Sequence, residues 1–141
     1  MMSVTYREII KHYLPLRLGK EPSLTPDSLM HALLMQEDQF KRVEKGKRLA
    51  VNDIVKYKKK DSFVTWYARV VRMWDCSYGI TLVSFKIISF ELGKSTKRKI
   101  MVRATLKDQV GEIWEDLEET LNPVSKKLGK KLSTIEAFSS L

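Results

Sequence analysis

The sequence predicts an α+β fold in which a small antiparallel β-barrel is flanked by helices on its N- and C-terminal sides. Three observations carry that expectation. Between residues 50 and 106, β-branched and aromatic residues dominate and hydrophobicity alternates with a period near two. On either side, apolar residues recur at helical spacing. The charge is segregated in the same way: residues 41–103 carry a net +12, against −1 for 1–40 and −2 for 104–141, within a total of +9. A chain of 141 residues, 43% hydrophobic and 30% charged, is long enough to bury one core without disulfides or metal. The boundaries so drawn are 1–48 for a helical N-terminal region, 49–106 for the barrel, and 107–141 for a C-terminal helix and basic tail packed on it.

Each element has a local reason. Thr5 and Glu8 have capping-box spacing, Ile9, Ile10, Tyr13 and Leu14 share one face, and Pro15 ends the short helix. Residues 15–22 read as a connector. Thr25-Pro26 starts a second helix, which Leu29, Leu33, Phe40 and Val43 stripe and Gly46 terminates, with Lys41, Arg42 and Lys45 in its last turn. Strands are expected at 53–58, 63–74, 80–92 and 99–106, joined by turns at 59–62, 75–79 and 93–96. Val64, Trp66, Ala68 and Val70 share one face of the second strand. Ile100, Val102, Ala104 and Leu106 share one face of the fourth. The alternation slips between Leu82 and Phe85, which predicts a bulge. Val110, Ile113, Trp114, Leu117 and Leu121 then fit a helix from 108 to 121, with Glu112, Glu115, Asp116, Glu118 and Glu119 on its solvent side. Residues 124–141 form a short last helix, docked through Ile135 and Phe138, or a frayed tail.

The runs Val51-Asn52-Asp53-Ile54-Val55-Lys56-Tyr57, Trp66-Tyr67-Ala68-Arg69-Val70-Val71 and Leu82-Val83-Ser84-Phe85 resemble the opening of an SH3-like barrel of the Tudor and KOW kind. Asn52 stands where that pattern usually has glycine, and Asn tolerates the left-handed turn. The KOW glycine turn and the acid-tyrosine-glycine signature of Tudor domains are both missing. The resemblance therefore implies a scaffold and no particular ligand.

A block with more than the whole net charge predicts a positive face and a polyanionic partner. Lys56, Lys58, Lys59 and Lys60 end one expected strand. Lys45, Lys47 and Arg48 lead into it, and Lys94, Lys97, Arg98, Lys99 and Arg103 surround the far hairpin. Turns distant in sequence converge at the end of a small barrel, so these groups, with Arg69 and Arg72 on the second strand, would hold phosphates. Trp66, Phe85 and Phe90 are expected in the core, whereas Tyr67, Trp74 and Tyr78 are expected at the surface, where they could stack on bases. The leading expectation is a non-enzymatic nucleic-acid-binding protein of little sequence specificity, with double-stranded DNA favoured over RNA and an accessory or regulatory role. The alternatives are a protein–protein interaction module, either a Tudor-like reader or an inhibitor of an acidic partner, and, more weakly, a small ribonuclease.

Catalytic chemistry has little support. His12 and His31 are the only histidines and lack a second ligand at metal spacing. Cys76 has no activating neighbour, Ser84 and Ser89 lack a glycine elbow, and Asp53 reads as a turn former. No cofactor or metal is expected. Cys76 alone allows no internal disulfide. No apolar run nears the roughly 18 residues of a membrane span, and residues 1–14 are too polar for a secretion signal. The expectation is a soluble protein of the cytoplasm, nucleoid or nucleus.

Overall fold

The computed structural model describes residues 15–21, 41–42, 48–75, 81–93 and 99–139. Its frame is a hairpin of two long strands, β4 (Val64–Asp75) and β5 (Thr81–Leu92). β3 (Ile54–Tyr57) pairs with the first half of β4, and β2 (Lys41–Arg42) pairs with its end. β6 (Ile113–Leu117) lies on the far side of β5, and β1 (Leu16–Gly19) lies outside β6. A 3-10 turn at Glu118–Thr120 carries the chain across to β7 (Leu121–Pro123), which pairs with β3. The hydrogen-bonded order is β1-β6-β5-β4-β3-β7, an antiparallel sheet that is not closed. Two helices, α1 (Lys99–Lys107) and α2 (Lys126–Ser139), complete the described elements. Among the described residues no helix is long and apolar enough to cross a membrane.

The sheet curls on itself. β3 and β6 are three places apart in the order, which would separate them by about 14 Å in a flat sheet. Instead the Tyr57 hydroxyl donates to Asp116 Oδ2 at 2.5 Å, and the Tyr57 ring meets Trp114 edge-on at 6.3 Å. Val64, Trp66, Ala68 and Val70 alternate inward as their spacing predicts, and Phe85 is fully buried among them. Trp66 packs edge-on against Trp114 at 4.8 Å and also against Phe90, which is partly buried. Such pairs add roughly 0.5–1.5 kcal/mol each beyond their buried area.

Two bulges assist the curl. The β4–β5 register shifts between Val70 and Arg72, opposite Phe85 and Ser84, and again between Tyr67 and Ala68. The expected irregularity near Leu82–Phe85 is present, but the extra residue is Val71 on the partner strand. Ahead of β3, the Ala50 N–H donates to the Asp53 carboxylate at 2.9 Å while the Asp53 N–H donates to the Ala50 carbonyl at 3.1 Å. This tight turn requires a left-handed residue, and Asn52 supplies it with φ +78°. The Arg48 guanidinium donates to the carbonyls of Glu118 and Leu121, fastening the start of the barrel segment to the 3-10 turn.

Several expectations are corrected. Residues 99–106 are helical, not a strand. Both edges of β5 are already taken by β4 and β6, so its continuation has no free edge there. Residues 108–121 are a turn, β6, the 3-10 turn and the start of β7, not a helix. Gly111 stands at φ +94°, which interrupts a right-handed helix, and Trp114 pairs with Phe85 in the sheet. Glu115 and Asp116 are consequently buried rather than solvated. Lys41 and Arg42, expected in a helix end, pair with Asp75 and Trp74. The expected connector at 15–22 contains β1. The last helix forms, but it docks through Leu132, leaving Ile135 and Phe138 exposed. Asp75, expected in a turn, ends β4, while the helix expected over 5–14, the bulk of the second and residues 76–79 lie outside the described residues.

Burial holds the Asp116 carboxyl above the usual carboxylate range, against the opposing pull of Tyr57, the Leu117 N–H and Lys59. Its native state thus binds a proton more tightly than the unfolded chain does. The resulting stabilisation is present at low pH and is lost as pH rises through the native value. The stability of Asp116→Asn relative to wild type should therefore increase as pH rises above about 4, the unfolded value, in urea unfolding; a flat difference would refute buried ionisation as its cause. Tyr57→Phe, which removes the donor to Asp116 Oδ2 and leaves the Leu117 N–H on Oδ1, should cost about 1–3 kcal/mol.

Candidate nucleic-acid interface

The β3–β4 turn is the best-defined part of the expected basic face. Lys58, Lys59 and Lys60 are exposed on it. Asp61 takes φ +66°, the Ser62 N–H donates to the Lys59 carbonyl at 3.1 Å, and the Val64 N–H donates to Ser62 Oγ at 3.2 Å. The turn is thus held by its own backbone and one hydroxyl, leaving its lysine side chains outside the scaffold. Lys56 precedes them on β3, exposed between Val55 and Tyr57, which are buried. Strand alternation therefore puts Lys56 and Lys58 on the outward face. Lys59 lies close enough to Asp116 to lower that carboxyl's affinity for a proton, so part of its charge is used within the protein.

The second basic segment leaves the sheet at the same end. The Gly93 N–H donates to the Phe63 carbonyl at 2.8 Å, placing the exit from β5 beside the base of the lysine turn. Lys94, Lys97 and Arg98 follow but lie outside the described residues, as do Lys45, Lys47 and Tyr78. Lys99 opens α1, and Arg103 is exposed on that helix.

Other expected contacts are occupied or covered. Arg69 donates to Glu136 at 2.8 Å, to Ser133 Oγ at 3.2 Å and to the Asn52 carbonyl at 2.6 Å, so it anchors α2 on β4. Arg48 is exposed, yet its guanidinium is directed at backbone carbonyls. Arg72 and Trp74 are only 5% and 7% exposed, which removes both from the surface expected for them. Arg72 is opposite Ser84, and Ser84 opposite Glu115, so a buried polar row crosses β4, β5 and β6. The shift at Val71 turns Arg72 and Trp74 onto the outer face of the sheet while Met73 takes the inner side, and that outer face is itself buried at this point. Tyr67 is half-buried and donates its hydroxyl to Glu91 at 2.8 Å; burial and that carboxylate push the phenol up to about 12.

Sequence reasoning left out four lysines that the fold exposes. Lys126, Lys127, Lys130 and Lys131 all face outward on α2. Their signal was the pair of Lys-Lys doublets, which required a helix rather than a frayed tail to become one surface. Among the described residues, no group of His, Cys, Asp and Glu is placed to hold a metal ion. Comparison with protein families, with curated proteins and with solved structures finds no match.

The two kinds of basic residue should behave differently. Arg69→Ala should lower stability by about 1–3 kcal/mol by releasing α2, since hydrogen bonds to charged groups are worth that much. If the exposed lysines hold the ligand, its affinity for duplex DNA, corrected for folding, should be unchanged. Lys58→Gln should show the reverse: an unaltered melting curve and a weaker salt dependence of binding. Loss of binding by a fully folded Arg69→Ala would instead make Arg69 a phosphate ligand.

Proposed function

We propose that the protein binds nucleic acid without catalysing a reaction, through the positive end of an SH3-like barrel. The strand connectivity supports the scaffold: β3 to β6 follow one another, and a 3-10 turn leads to a last strand that returns beside the first of them. The observation that carries the ligand reading is the lysine turn. Lys56, Lys58 and Lys60 are exposed, and among the described residues none is engaged by a carboxylate. The chain enters its second basic run, 94–99, from beside that turn.

Such a surface recognises phosphates and carries little base information. The function is therefore non-specific binding, with double-stranded DNA as the preferred ligand and an accessory or regulatory role. A rigid turn offering several ammonium groups fits a backbone track, where each contact releases condensed counterion.

Titration of labelled duplex DNA, an RNA hairpin and a single strand at two salt concentrations tests the reading. Wild type should bind at low salt and weaken steeply as salt rises. Lys56→Gln/Lys58→Gln/Lys60→Gln should reduce the logarithmic salt slope by about 0.9 per lost duplex contact. Absence of binding to all three probes at low salt would refute the proposal and favour an acidic protein as partner. An unchanged slope in the triple variant would remove this turn as the site.

A further inference from the structure

We propose that the outward face of α2 is a second nucleic-acid-binding surface, directed at strands with unpaired bases: Lys126, Lys127, Lys130 and Lys131 hold the backbone and Phe138 stacks on a base. The inference rests on the nucleic-acid reading and adds to it a separate site and a preferred form of the ligand.

The helix is amphipathic in an uncommon sense. Its inner face carries Leu132, which is buried, with Leu128, Ser133 and Glu136 partly covered, and it packs on β5 and β3. Glu136 is the helix's only acidic residue. Its carboxylate is drawn under the helix to Arg69 at 2.8 Å, so none remains on the outward side. Lys127, Lys131, Thr134 and Phe138 are spaced i, i+4, i+7 and i+11, forming one stripe down the exposed side, with Lys126 and Lys130 beside it. Phe138 is 71% exposed, the largest exposure recorded for a large apolar side chain among the described residues.

The charge placement is also unfavourable for the helix itself. The lysines occupy its first two turns, where the dipole disfavours cations, while its first turn has no acid and its last turn no base. Ser125 caps the start, its Oγ accepting the Leu128 N–H at 3.2 Å, so the segment is committed to being a helix despite those charges. A bound phosphate would offset both the lysines' mutual repulsion and their conflict with the dipole. An aromatic ring on the same stripe adds what a phosphate track does not need. Stacking demands an accessible base face, which single strands provide and continuous duplex does not.

The experiment compares binding of the full chain to unstructured oligothymidine, to duplex DNA of equal length, and to vesicles of anionic lipid. Phe138→Ala should weaken oligothymidine binding roughly ten- to hundredfold and leave duplex binding unchanged. Lys126→Gln/Lys127→Gln/Lys130→Gln/Lys131→Gln should lower the single-strand salt slope by about 2 to 3 and melt no lower than wild type. If both variants bind like wild type while the Lys56/Lys58/Lys60 variant is impaired, the α2 site is overturned and the barrel reading stands. Equal loss on duplex and single strand in Phe138→Ala would overturn the stacking role. Binding to vesicles but to neither nucleic acid would overturn both readings.

Discussion

The contact between Tyr57 and Asp116 ties together strands that do not share a hydrogen-bonded ladder. It spans the inside of the curled sheet from β3 to β6, and the aromatic cluster of Tyr57, Trp66, Phe85 and Trp114 assembles around it. An open sheet encloses a core only if it curls, and this contact joins β3 and β6, the second strand from either end of the order. The position of Lys59 follows from the same geometry. The turn after Tyr57 is brought beside the buried acid, which makes that lysine part of the fold while its neighbours remain available to a ligand.

The outer side of the sheet is not uniformly solvated. Trp74, Leu82, Ser84, Arg72 and Glu115 are all buried, although none belongs to the central cluster on the inner face. Farther along, α2 covers β3 and β5 and is pinned by Arg69. Little of the long β4–β5 hairpin is therefore free to receive a macromolecule. Among the described residues, clusters of exposed lysines are left to the β3–β4 turn and to the back of α2.

Strands 54–57 and 64–75 were legible through alternation, which holds as far as Val70, and 81–92 through its run of β-branched and aromatic residues. Residues 99–123 were not. Lys99–Lys107 contains apolar residues at spacings compatible with either period, and the deciding fact is nonlocal: β5 already has two neighbours. Ile113, Trp114 and Leu117 fit a helical stripe, yet Gly111 and the pairing of Trp114 with Phe85 select a strand. The basic character of the middle segment could be read from the chain, but accessibility could not. The bulge at Val71 moves Arg72 and Trp74 to the outer face, which is buried there, and one carboxylate on a distant helix engages Arg69.

The late return of β7 has a consequence for biosynthesis. β3 finds its second partner only when residues 121–123 have been made, and β1 waits for 113–115. Pairings so far apart in sequence close slowly. Until then the nascent chain presents β3 as an open edge, the kind of surface on which neighbouring chains aggregate. Lys56 and the three lysines that follow it mark that edge with charge while it waits. The lysines proposed to meet a ligand would thus serve first as the guard that keeps the unfinished protein apart from its copies.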